Sequence, residues 1–143
     1  MLEEPEKLIG GLKNLLKLFP GAQGILAVED NKPDCISKLK SMTMDEKRIC
    51  VKGLKTKYPQ GGERQLIFAT TGRRINSTML PADVGCVVNN VDTIVAVHRA
   101  VMEGRPLMER IVTVTGDAVA SPGNFRVRIG TDYSEVLAAA GGF

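Results

Sequence analysis

Tryptophan is absent from this 143-residue chain, and two Tyr, four Phe and a single His, His98, are all the aromatic rings it has. So few aromatics offer no base-stacking platform. The formal charge of +3 is spread out with acids interleaved, leaving no basic stripe, and together these exclude a nucleic-acid partner. No apolar run approaches the ~20 residues of a spanning helix, and Met1-Leu2-Glu3-Glu4 cannot open a signal peptide, so a cytoplasmic location is expected. Cys35, Cys50 and Cys86 are too widely spaced for a Cys-x-x-Cys cluster or a zinc ligand set, and their odd number argues against a disulfide framework. They are expected to be buried or inert thiols. His98 has no Cys or second His nearby, which suits a packing or surface role, so no metal site and no catalytic side chain is expected.

A chain of this length can bury one core, or one core with a small appended module. Pro5 suits the first turn of a helix carrying Leu8, Ile9, Leu12, Leu15, Leu16 and Phe19 at helical spacing until Pro20-Gly21. Gly10-Gly11 in its middle costs about 1 kcal/mol per glycine in propensity, so the helix either bends there or receives another backbone at close range. A strand over 25–28, a helix from Pro33 to about Met42 and a strand over 49–54 then read as an α/β layer, its sheet parallel at the centre. A helix of roughly 63–69, an irregular stretch over 72–85 and a short strand at Cys86-Val87-Val88 follow. Asn89 or Asn90 then caps a helix ending near Gly104. Beyond Arg110 the pattern changes to two strands, 111–115 and 125–129, with Pro122-Gly123 suited to a type II turn between them. A helix capped around Thr131-Asp132 runs through Ala140.

Three blocks concentrate groups suited to a ligand: Tyr58-Pro59-Gln60-Gly61-Gly62-Glu63, Leu80-Pro81-Ala82-Asp83-Val84-Gly85 and Asn89-Asn90-Val91-Asp92-Thr93. Each sets glycine or a small polar residue just ahead of an element whose first N–H groups have no internal partner, a natural receptor for a phosphate or a flavin edge. Gly61 and Gly62 permit close backbone approach, Glu63 can accept from a ring N–H or a ribityl hydroxyl, and Tyr58 can pack on a ring face. Asn89, Asn90 and Thr93 gather side-chain donors at the next helix start. Arg73 or Arg74 between the blocks can neutralise a phosphate, and Asp83 is placed to bond its own loop backbone.

Read in this order, together with Gly24 to Pro33 (GILAVEDNKP) and Arg110 to Phe143, the blocks resemble the RnfC family, the C subunit of the Rnf complex, which is a membrane-associated ferredoxin:NAD oxidoreductase. They resemble more distantly the flavoprotein subunit of respiratory NADH dehydrogenase. The resemblance runs through nearly the whole chain. It implies an α/β fold: a partial FMN/NADH-binding layer over 1–106, followed over 107–143 by the start of a β-grasp soluble-ligand-binding (SLBB-like) domain, truncated before its later strands. It further implies that Tyr58, Gly61, Gly62, Glu63, Asn89, Asn90 and Thr93, with Arg73 as the best match to the family's arginine, contact FMN and NADH. Iron–sulfur clusters would lie in the rest of a parent protein. Two departures stand out: respiratory relatives carry adjacent acids where this chain has Gly62-Glu63, and Ile75 to Met79 replaces a Pro-Ser-Gly-Gly-like run.

The family's upstream Gly-rich loop and acidic segment are missing, so the chain reads as a piece of a longer protein and as inactive alone. Its expected partners are NAD(H) and the other subunits of a complex held at the inner face of the plasma membrane, with no span of its own. An open β-grasp edge would also allow two copies of the fragment to pair. Two alternatives share the same blocks. One is an electron-transfer relative outside the Rnf complex, such as a cobalamin reductase or a proline-reductase-associated protein. The other is a docking module of this fold whose pocket stays empty.

Overall fold

A computed structural model of the chain describes residues 1–142; Phe143, the last residue of the expected β-grasp module, lies outside the described residues. The chain divides into two compact units, Met1–Gly104 and Arg105 onward.

In the first unit the helix expected after Pro5 forms as α1 (Pro5–Leu18) and buries Leu8, Ile9 and Leu16. Its glycine pair marks a close approach. A Cβ on Gly11 would fall inside the carbonyl of Ile94, and one on Gly10 would run into the His98 ring, both on α4 (Val91–Glu103). Two backbones thus meet where any side chain would hold them apart, and α1 against α4 is the principal helix contact of the unit. The carbonyls at the end of α1 find a partner across the chain. Arg48 donates to Leu16 O at 2.8 Å, Phe19 O at 3.2 Å and Pro20 O at 2.7 Å.

Strand β1 (Gly24–Glu29) alternates buried and half-buried residues and pairs in parallel with β2 (Ile49–Leu54), Gly24 opposite Ile49 and Glu29 opposite Leu54. Parallel neighbours need a crossover, and α2 (Pro33–Met42) supplies it. Its Leu39, fully buried, joins Cys35, Leu26, Val28, Ile49, Leu8, Ile94 and Val95 in one core. Of the three thiols, Cys35 is buried, Cys86 half-buried and Cys50 exposed.

An ion network ties α1 to α4: the Glu4 carboxylate accepts from Arg99 and meets Lys7 at 3.1 Å, and Lys7 meets Glu103 at 2.9 Å. Arg99 first, then Lys7, holds the Glu4 carboxyl down to about 2. Because its folded value lies below its unfolded one, the stabilisation is fully present above pH 4.5 and is lost as pH falls towards 2. Glu4 is about a third exposed, so screening limits its worth. Glu4→Gln is expected to cost roughly 0.5–1 kcal/mol at pH 7, and urea denaturation across pH should show the gap to wild type closing between 4.5 and 2. A gap independent of pH would refute this account.

The second unit is a hairpin with one helix. β3 (Glu109–Val114) and β4 (Gly123–Arg128) run antiparallel, Glu109 opposite Arg128 and Val114 opposite Gly123, and α5 (Tyr133–Ala139) follows. Asp132 caps α5, accepting from the Ser134 hydroxyl and N–H at 2.7 Å each, and these bonds hold its carboxyl below the ordinary aspartate range. Pro122-Gly123 does not make the expected type II turn. That turn needs positive φ at its glycine, whereas here Gly116 takes the positive φ, 140°, and Gly123 already belongs to β4. A groove of about 260 Å³ lies between β4 and α5, reaching from Phe125 to Ala139.

The short strand expected at Cys86-Val87-Val88 does not form. Gly85, at φ 66°, turns the chain just before it, no strand pairs with it, and Val87 is exposed.

Candidate functional site

The Tyr58 block leaves the carboxyl end of β2, the side of an α/β layer where ligands gather. Its approach is anchored: Asp30, after β1, accepts from the Thr56 hydroxyl at 2.8 Å and the Thr56 N–H at 3.0 Å. Those bonds, the hydroxyl's first, hold the Asp30 carboxyl below its ordinary value. The chain then folds through two overlapping turns, Gln60 N–H donating to Lys57 O and Gly62 N–H to Pro59 O, both at 2.8 Å, with the Tyr58–Pro59 bond cis.

This geometry sorts the glycines. The Gly62 N–H is spent inside the loop, so it does not converge with its neighbour on a ligand as the sequence suggested. Gly61 has nothing within 4 Å of the place a Cβ would occupy and keeps an open face. α3 (Glu63–Thr71) starts directly after, with Gly62 as a cap that has no side chain to satisfy the first N–H groups, and with Glu63 exposed in the first turn. That helix end keeps free donors beside Gly61. Tyr58 is 97% exposed, its whole ring available as a wall.

α3 is fixed at its other end. Lys52 on β2 donates to Thr70 O at 2.5 Å, and Gly72 ends the helix at φ 74°. Arg73 then reaches a single 3-10 turn, Pro81–Val84, donating to Val84 O at 2.6 Å and Gly85 O at 3.1 Å. Its guanidinium serves as a clamp on backbone carbonyls, while Arg74 lies 5.5 Å above the Phe68 ring. The departing segment closes on itself: Asn76 Oδ1 accepts from Thr78 N–H, Thr78 Oγ1 and Met79 N–H. Asp83 bonds its own loop as expected, accepting from Leu80 N–H at 2.8 Å.

The third block begins α4. Asn90 is its cap, with Oδ1 accepting from Asp92 N–H at 2.9 Å, while Asn89 is exposed and Thr93 half-buried one turn on. Among the described residues no hydrogen bond joins this block to the Tyr58 loop; they stand on separate elements, and their neighbourhoods are linked by the Arg73 clamp and by Arg64, which donates to Ser77 O at 3.4 Å. His98 lies away from both, over Gly10, and no group of three metal-ligating side chains occurs among the described residues. Sequence reading missed Lys52, Thr56 and Asn76. Asn76-Ser77-Thr78 carried a usable signal, since Asn two residues before Thr favours a side-chain turn.

The chain as a whole then meets known proteins. The family model described as the Nuo51 FMN-binding domain matches residues 1–99. The chain belongs to that family. The SLBB domain model matches residues 111–143, following the Nuo51 domain. Relatives of this Nuo51-type chain include the C subunit of the proton-translocating ferredoxin:NAD(+) oxidoreductase complex of Clostridium ljungdahlii, 42% identical over all 143 residues, which cover 31% of that protein. The C subunit of the Na(+)-translocating ferredoxin:NAD(+) oxidoreductase complex of Acetobacterium woodii is 43% identical over the whole chain and 32% of its own length. The C subunit of the ion-translocating oxidoreductase complex of Haemophilus influenzae is 38% identical over 99% of the chain and 22% of its own. The chain thus spans less than a third of the curated relatives it matches. No helix among its described residues is long and apolar enough to cross a membrane.

Proposed function

We propose that this Nuo51-type chain is the central part of an RnfC-type protein and contributes half of an FMN/NADH site to it. On this reading residues 1–106 belong to the nucleotide domain and 107–143 begin the β-grasp domain. Tyr58, Gly61, Glu63, Asn89, Asn90 and Thr93 are the cofactor contacts, and Gly62 serves them by lacking a side chain in the loop, its N–H being taken by the Pro59 carbonyl. The carrying observation is the pair of helix starts. α3 has no side-chain cap, next to an unobstructed Gly61, and α4 is capped through Asp92 N–H alone, with Asn89 exposed beside it. Free N–H groups of this kind suit a phosphate and the carbonyl edge of a flavin, so the residues present fit FMN.

FMN, when bound, would supply the hydride chemistry with NAD(H), and onward electron transfer would fall to parts of the longer protein outside this chain. The chain's own residues bind and orient. The α4 start holds a phosphate, Gly61 and the α3 start face the ring edge, and Tyr58 shields a ring face from water. Arg73 acts indirectly, by holding the 84–85 backbone in register with the end of α3. The working protein is cytoplasmic and held at the membrane through its complex.

Titration of FMN followed by flavin fluorescence tests this. Asn90→Ala is expected to weaken binding about tenfold, and Asn90→Ser, which keeps a good cap, by less. Unchanged flavin content in Asn90→Ala would favour the empty docking module. No saturable quenching, by this chain or by the longer protein, would sink the proposal.

A further inference from the structure

The interleaving of acids and bases expected from the sequence fails over one stretch of this chain. Residues 47–82 hold eight Lys or Arg and a single acid, Glu63, whereas acids outnumber bases in the remainder. The segment covers β2, the Tyr58 loop, α3 and the Asn76 turn, and all its cations except Arg48 are exposed. Every described ion pair lies outside it: Glu4 with Lys7 and Arg99, Lys7 with Glu103, Lys13 with Glu46, Lys32 with Glu29 and Arg126 with Glu109. Within it, Lys52, Arg64 and Arg73 are satisfied by backbone carbonyls, which leaves their charge uncancelled. Lys55 has Asp30 in its vicinity without pairing to it, and Lys57 makes no side-chain bond among the described residues. Lys47 and Arg48 precede β2, at its end away from the Tyr58 block, and Arg73 and Arg74 follow the far end of α3; the cations that flank the block are Lys55, Lys57 and, in the first turn of α3, Arg64, against the one acid Glu63. Such a local excess of positive charge raises the concentration of an oppositely charged ligand and its rate of encounter, by tenfold or more in favourable clefts.

We propose that Lys55 and Lys57, with the cationic surface they begin, form a capture surface for phosphate-bearing nucleotides approaching the Gly61 loop. Lys55 and Lys57 act as positioning residues through their field, not as contacts of the reacting atoms. The shared chemistry is the phosphate anion, either the monoester of FMN or the diphosphate of NADH, and the surface raises association rates while leaving dissociation nearly unchanged. This rests on the FMN/NADH reading above and adds residues to it that neither the blocks nor the helix starts single out.

Stopped-flow association of FMN, of NADH and of uncharged riboflavin with the FMN-binding protein tests it, comparing wild type, Lys55→Gln/Lys57→Gln and a control, Lys38→Gln/Lys40→Gln, that removes equal charge from α2. The loop variant is expected to bind FMN or NADH three- to tenfold more slowly at low salt, converging on wild type at high salt because screening removes the field. Riboflavin rates and the control should be unaffected. A defect with FMN alone assigns the surface to the monoester, and one with NADH alone to the diphosphate. Wild-type rates and salt slope in the loop variant would overturn the inference while leaving the FMN reading standing. Equal slowing of riboflavin would also overturn it, since the lysines would then be structural. If wild type binds neither nucleotide, both readings fall together.

Discussion

Gly11→Val should cost the fold about 3 kcal/mol or more and lower the melting temperature on the order of 10 °C. The added side chain has nowhere to go. A Cβ at this position would lie 2.0 Å from the Ile94 carbonyl oxygen, a backbone group that cannot rotate away, so α1 and α4 must move apart and the shared core of Leu8, Ile9, Ile94 and Val95 must loosen with them. A helical Gly-to-Ala change ordinarily gains up to ~1 kcal/mol in propensity, yet Gly11→Ala should still destabilise, because steric overlap with a carbonyl outweighs that gain. Gly10 supplies the internal comparison. Its Cβ would meet the His98 imidazole, which can turn aside, so Gly10→Ala should lose far less. Thermal denaturation followed by circular dichroism checks the order; equal effects at both positions would remove the backbone contact as the explanation.

Arg48→Ala is expected to lose about 2 kcal/mol. Three carbonyls at the end of α1 share this one guanidinium, and the positive charge sits where the helix dipole is negative. Arg48 also contributes its own carbonyl to Gly24 N–H at 2.8 Å, so it joins α1, β1 and the entry to β2 in a single residue. Water can satisfy the exposed carbonyls after truncation, which keeps the loss below what three buried charged bonds would give. Arg48→Lys retains the charge but not the planar fork and should recover only part of the loss. The readout is the urea midpoint at unchanged m-value; a midpoint within error of wild type in Arg48→Ala would show that solvent replaces the fork without cost.

The regular elements were legible wherever one physical cue sufficed. Pro5 and the Leu8 to Leu16 spacing located α1, Pro33 located α2, and an asparagine before an apolar helical run located α4. The glycine pair was legible as an alternative, bend or close approach, and only the structure supplies the partner that decides it. Pro122-Gly123 misled because a turn dipeptide also suits the mouth of a strand, and Cys86 to Val88 misled because apolar content does not provide a pairing partner. In the candidate site, the residue types were visible but the directions of their N–H groups were not. Gly62 looks identical to Gly61 in sequence, and it is the Pro59 carbonyl that takes its donor. Arg73 showed only its charge in the sequence, because the carbonyls it clamps lie 11 and 12 residues away, beyond any local pattern. The concentration of cations over 47–82 was countable from the start, hidden by a modest total.

The meeting of α1 and α4 has a mechanical consequence. The carbonyl received by Gly11 belongs to Ile94, one helical turn beyond the Asn90 cap, and no side chain lies between the two backbones to act as a cushion. Rotamer changes, the softest motion in a core, therefore cannot take up a displacement at the cap. A push on the start of α4 passes to α1 without slack, and from its end, through Arg48, to the edge of the sheet. Gly11 makes this a stiff joint, so the Asn90 end of the candidate site is positioned by the scaffold's own geometry.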